Sequence, residues 1–163
     1  MTEERKPLVL EKLASRFGAS ILSTHNELGD ATAVVAREKV VEICRFLRDD
    51  ADLRFDLAVD LTGVDYIDET PRFEVVYHLY SIEKKQRVRI KARVPAEDPT
   101  IGSVAGIWTG LNWYEREAFD MYGIRFDGHP DLRRILLPET FVGHPLRKDY
   151  PKKKRQPTLG REE

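Results

Sequence analysis

The densest group of side chains able to do chemistry is Glu115-Arg116-Glu117 with Asp120 close behind. Two carboxylates facing one cleft can share acid and base work, and an arginine beside them can orient an anion. Consecutive residues of a helix point in different directions, however. Glu115 and Glu117 do not share a face, so these two alone do not make an acid/base pair. Arg116 and Asp120 stand four apart and are expected to pair, unless Arg116 meets a partner's carboxylate. The cluster reads as a structural ion-pair network. His129-Pro130 and His144-Pro145, with Asp127 and Asp131 nearby, invite a metal reading. They lack the helical spacing of HExxH, and no cysteine supports them. The competing expectation is that they hydrogen-bond backbone groups in an irregular segment. His25 and His78 fall in unrelated strand-like runs.

The one cysteine, Cys44, can form no intrachain disulfide and no four-cysteine cluster. It lies on the apolar side of a helix-like run and reads as a small buried hydrophobe. There is no G-x-G-x-x-G, no phosphate-binding P-loop and no G-x-S-x-G. The chain has 163 residues and a formal charge of −1. That suits one domain, or one domain with an arm, and gives no global field for nucleic acid or an anionic membrane. The basic run Lys152–Arg155 reads as a solvated tail. No apolar run is long enough to cross a bilayer, and Met1 to Pro7 lacks the apolar stretch of a secretory signal. A chain that stays in the cytoplasm is expected, with membrane association only through partners.

The elements that must position these residues follow from periodicity. Leu10, Leu13, Ala14 and Phe17 predict a helix over 8–17 that Gly18 stops. Two β-prone runs, 19–25 and 31–36, flank a Gly-containing loop and suggest a hairpin. Val40, Ile43, Cys44 and Leu47 predict a second helix within 37–49. Three alternating runs follow, with Phe55, Leu57, Val59 and Leu61, then Phe73, Val75, Tyr77 and Leu79, then Val88, Ile90, Ala92 and Val94 on the inward face. The acidic outer residues of the first run and the basic ones of the last read as an ordinary solvated face, with pairing across it the lesser option. This is an α+β fold, an antiparallel sheet covered on one face by helices. A short helix is expected over 103–108. Another starts at Asn112, with Glu115 completing a capping box, and ends at Gly123. After Gly123 both periods vanish, and Pro130, Pro138, Pro145 and Pro151 interrupt the chain. Apolar residues from Ile124 to Leu146 persist there, too many for a linker. The expectation is an extended C-terminal arm whose apolar groups dock on this chain or on another protein.

The string Trp113-Tyr114-Glu115-Arg116-Glu117-Ala118-Phe119-Asp120-Met121-Tyr122-Gly123-Ile124 is followed by Phe126, His129-Pro130, Leu132-Arg133-Arg134-Ile135-Leu136 and Pro138-Glu139. It closely resembles the thirty-kilodalton subunit family of proton-pumping NADH:quinone oxidoreductase, respiratory complex I. Gly143-His144-Pro145-Leu146-Arg147-Lys148-Asp149-Tyr150-Pro151 resembles that family's closing motif. Asp60-Leu61-Thr62-Gly63-Val64-Asp65-Tyr66 and Tyr77-His78-Leu79-Tyr80-Ser81 resemble its central strands. One departure stands out, since Thr140 follows Pro138-Glu139 where the family often has an acidic residue, while the aromatic Phe141 is kept.

The resemblance implies a structural subunit of the complex's hydrophilic arm, itself without flavin, cluster, quinone or metal. The host's FMN, iron–sulfur clusters, quinone and NAD belong to other chains. Partners are implied to be the quinone-cavity subunit and iron–sulfur subunits, at the cytoplasmic face of a bacterial inner membrane. An equivalent subunit of a related energy-converting hydrogenase or other quinone-reducing dehydrogenase is the alternative, and a stand-alone metal-dependent enzyme the contrasting one. No catalytic residue is expected. The implied interface residues are Glu115, Arg116, Glu117, Asp120, Tyr122, Gly123, Phe126, His129, Pro130, Arg133, Arg134, Leu136, Pro138, His144, Pro145, Arg147, Lys148, Asp149 and Tyr150. The expected organisation is an α+β domain over 1–110, a helix plus docking arm over 111–151, and a basic tail over 152–163.

Overall fold

A computed structural model describes residues 7–156. The opening 1–6 and the last part of the expected tail, 157–163, lie outside the described residues. Helix α1 (Leu8–Phe17) places Val9, Leu10 and Leu13 inward and stops at Gly18, which has φ 49. A residue with a Cβ is strained there. Strands β1 (Ile21–His25) and β2 (Thr32–Val35) form the expected antiparallel hairpin. Helix α2 (Val40–Asp49) buries Val40, Ile43, Cys44 and Leu47. The run before it, Arg37–Lys39, is a separate 3-10 turn.

Strands β3 (Leu57–Asp65), β4 (Phe73–Ser81) and β5 (Gln86–Val94) pair antiparallel in sequence order. The sheet order is β1-β2-β5-β4-β3. The α+β architecture stands, with one junction of different sense. β2 and β5 run parallel, because no hairpin joins them and the chain returns through α2, β3 and β4. The inward faces of β4 and β5 are as the alternation predicts. β3 departs from it. A bulge between Ala58 and Asp60 adds a residue, so Leu57 and Val59 are exposed while Leu61 faces the core. On the outer face the acidic partner of β5 is Glu74 of β4, 3.2 Å from Lys91 and 3.8 Å from Arg93. The acidic residues of β3 are one strand too far away.

Helix α3 (Leu111–Tyr122) lies on the same face as α1 and α2. Its Leu111 and Ala118 share the core with Phe55, Tyr77 and Ile43, and Tyr122 covers Gly63 of β3. A Cβ at Gly63 would sit 2.7 Å from the Tyr122 ring. The expected helix over 103–108 is instead a pair of turns. Thr100–Gly102, strand β6, pairs in parallel with β7, Arg125–Asp127. This two-stranded sheet fastens the chain leaving α3 to the chain entering it, and three-residue strands are too short to show a period. Ile124 and Phe126 join the main core. The core is thus continuous across position 110, and Leu132 beyond β7 still packs against it.

Candidate docking site

α3 begins at Gly110 with no side-chain cap, and the expected capping box is not used. Glu115 turns inward instead. Its Oε2 lies 2.6 Å from Ser103 Oγ, and its Oε1 accepts the Val104 N–H at 2.7 Å. The side chain is fully buried, and burial pushes its pKa up to about 7 against the lowering effect of those bonds. His129 Nε2 is 3.9 Å from Oε2. The His129 ring accepts the Asp131 N–H on Nδ1 at 3.0 Å, so the neutral ring carries its proton on Nε2 and donates it to the Asn112 carbonyl at 3.1 Å.

Arg116 and Asp120 do not pair. Each reaches past the other to the returning chain. Arg116 donates to the carbonyls of Arg133, at 3.1 Å, and Arg134, at 2.9 Å. Asp120 Oδ1 receives Arg134 at 2.6 Å, while Oδ2 receives three successive backbone N–H groups, from Ile135, Leu136 and Leu137, at 3.1, 2.9 and 2.9 Å. Burial opposes ionisation of this carboxylate, yet the four donors outweigh it and hold its pKa below the ordinary value. An i,i+4 pair on a helix surface is worth a few tenths of a kcal/mol, roughly 0.2–0.5. Irregular backbone with unpaired N–H and C=O groups competes for the same charges more strongly.

The arm then returns over the C-terminal end of α3. The last carbonyls of a helix have no partner within it. Here the arm supplies donors: His144 Nδ1 to the Asp120 carbonyl at 2.9 Å, the Leu146 N–H to Met121 at 3.1 Å, and Arg147 Nε to Tyr122. Burial lowers the His144 pKa and favours the neutral ring that makes this single contact. Gly123 has φ 74, and a Cβ there would lie 2.6 Å from Arg147 and 2.7 Å from His144. The close approach of arm to helix end needs this glycine twice over.

Beyond Arg147 the arm reaches the sheet. The Lys148 N–H donates to Asp65 at 2.7 Å, and Asp149 accepts from Arg72 at 2.8 Å. Arg72 grips Asp65 through two bonds of 2.7 Å, which hold the Asp65 pKa down. Asp65 and Arg72 are not among the residues expected from sequence, because nothing in a strand end and a loop predicts a joint with residue 149. Tyr150 stacks on Phe141 with ring centroids 6.0 Å apart.

Several expected contact residues therefore face this chain's own backbone, including Arg134, His144 and Arg147. Others are free. Glu117, Pro130, Arg133, Pro138 and Lys148 are exposed, and Pro145 is half-buried. The apolar residues divide in the same way. Phe126 is in the core, whereas Leu136 is 61% exposed, Val142 58%, Leu146 50% and Trp113 of α3 69%. Isolated exposed apolar residues need no explanation, and these four all lie on the helix–arm unit.

Glu115 and Asp120 are committed to bonds within the chain. Among the described residues no three His, Cys, Asp or Glu side chains come together as metal ligands. Cys44 is fully buried, and burial pushes its thiol up, away from the reactive thiolate. No helix among the described residues is long and apolar enough to cross a membrane.

Comparison with known proteins agrees with this geometry. Residues 33–156 match the family described as Respiratory-chain NADH dehydrogenase, 30 Kd subunit. The C subunit of NADH-quinone oxidoreductase from Geobacter sulfurreducens is 49% identical, over 99% of both chains. The C 2 subunit of the same oxidoreductase from Rhizobium meliloti is 51% identical over 93% of this chain and 82% of its own. Among solved structures, the trypsin-resistant fragment of Nqo5 is 31% identical and superposes with a TM-score of 0.63, over 77% of this chain and all of the fragment. One chain of an archaeal membrane-bound sulfane sulfur reductase complex shares the fold, with a TM-score of 0.74 at 20% identity over 89% of this chain and 85% of its own. The chain belongs to the respiratory-chain NADH dehydrogenase 30 Kd subunit family.

Proposed function

We propose that this chain is a docking and assembly subunit of an NADH-quinone oxidoreductase, cofactor-free itself, and that its working surface is the helix–arm unit from Trp113 to Pro151. One observation carries the reading. The polar groups of α3 are spent on holding the arm in shape, through Arg116 and Asp120, and the apolar groups Trp113, Leu136, Val142 and Leu146 are left facing outward. An arm built for chemistry has the opposite arrangement, with its titratable groups converging on an open site. The proposed partners are the quinone-cavity subunit and the iron–sulfur subunits, and FMN, clusters, quinone and NAD belong to those and other chains. The proposed location is peripheral, on the cytoplasmic face of a bacterial inner membrane. Of the basic run Lys152–Arg155, expected as a solvated tail, Lys154 turns back to the arm and donates to the Val142 carbonyl at 3.3 Å.

The test is Arg116→Ala in cells that make the whole complex. This change frees two carbonyls of the arm and is expected to lower the amount of assembled complex several-fold. NADH-to-quinone turnover per assembled complex is expected to stay at the wild-type level. Full assembly with normal electron input and lost quinone reduction would overturn the docking reading.

A further inference from the structure

Among the described residues four carboxylates are buried: Asp65, Glu74, Glu115 and Asp120. Three of them have a lysine or arginine within salt-bridge reach, namely Arg72 for Asp65, Lys91 for Glu74 and Arg134 for Asp120. Glu115 has none among the described residues. The groups facing it are Ser103 and the 104–105 backbone after β6, His129 after β7, Cys44 of α2 and Tyr77 of β4. Burial keeps Cys44 and Tyr77 neutral. On its own helix, Arg116 is turned to the arm and Glu117 to solvent. A buried carboxylate without a fixed cation is held either by a proton or by a neighbour that becomes charged.

We propose that Glu115 and His129 form a buried proton-binding site at the joint between α3 and the arm, and that loss of its proton loosens the turn at residues 129–131 from which the arm departs. With the proton bound, the carboxylic acid donates to Ser103 Oγ and accepts the Val104 N–H. The two ring nitrogens of His129 tie Asn112 to Asp131, and Glu115 buries no charge. When the proton leaves to water, Ser103 donates instead, and a bare charge remains 3.9 Å from the His129 ring. The ring can answer by turning its Nε2–H from the Asn112 carbonyl to Glu115, which breaks the bond that fastens the arm's root to the first turn of α3 and draws Nδ1 away from the Asp131 N–H. Glu115 titrates near pH 7, within the range a cell experiences. The joint lies inside this chain, so the inference stands whether or not the arm docks as proposed above.

The sign follows from linkage. Glu115 holds its proton more tightly folded than unfolded, so its favourable contribution is full below about pH 4.5 and lost as pH rises through about 7. The experiment compares urea unfolding of the full chain and of Glu115→Gln from about pH 5 to about pH 8, with hydrogen exchange at the Asp131 amide. Glutamine keeps the neutral shape, accepting from Val104 and donating to Ser103. The wild-type folding constant is expected to fall by about two orders of magnitude more than that of the variant over this range. The Asp131 protection factor is expected to fall with it, in the wild type only. Parallel stability profiles for the two proteins would overturn the proposal. Should Glu115→Gln fail to fold, the wild type decides alone, since a protection factor at Asp131 that does not change with pH contradicts the loosening.

Discussion

At the scale of single residues, the signature of this chain is a set of side chains that hold backbone. Asp120 is the clearest case, with one carboxylate serving Arg134 and three consecutive N–H groups. Asp120→Asn replaces an acceptor with a group that is half donor and leaves Arg134 without its anion. The expected loss is about 2–4 kcal/mol of stability in urea unfolding, with the arm cleaved first in limited proteolysis. Gly123→Ala is expected to cost about 1–3 kcal/mol by the same measurement, because it combines a left-handed backbone with a clash against His144 and Arg147. Asp65 and Asp120 have lowered pKa values in the folded chain. Their contribution is therefore present above about pH 4 and lost as pH falls through their folded values. Acid unfolding of Arg72→Ala is expected to begin at higher pH than that of the wild type, since Asp65 would lose the partner that depresses it.

At the scale of elements, α1, α2, β4 and β5 are legible in the sequence because each buries one face at a constant period. The departures fall where an extra residue or a short element breaks that period. The bulge at Val59 reverses the facing of Leu57, and β6 and β7 are too short to read. Helix α3 is legible in extent but not in what its charges do. Spacing along a helix predicts Arg116 with Asp120, whereas unpaired backbone some fifteen residues downstream takes both. No local pattern encodes such a contact. The two histidine–proline pairs do bind backbone, as their irregular setting suggests, with His129 on Asn112 and His144 on Asp120. The inward turn of Glu115 has no sequence signal, because Ser103 and His129 lie in turns of unrelated segments.

At the scale of the whole molecule, an α+β sheet carries three helices on one face, and the third helix carries an arm that wraps its C-terminal end and clasps the end of β3 and the loop before β4. Arg116, Asp120, Arg134 and Arg147 face inward to this clasp, while Trp113, Leu136, Val142 and Leu146 are exposed, and this exposed set is the proposed surface for partner chains. Its most direct test is the paired variant Trp113→Asp with Leu136→Asp in cells that make the complete oxidoreductase. Both side chains are exposed, so the isolated chain is expected to fold with wild-type stability to within about 0.5 kcal/mol. Docking through this surface predicts that assembled complex falls by about tenfold or more while turnover per assembled complex is unchanged. Normal assembly of the paired variant, with or without loss of activity, would contradict it.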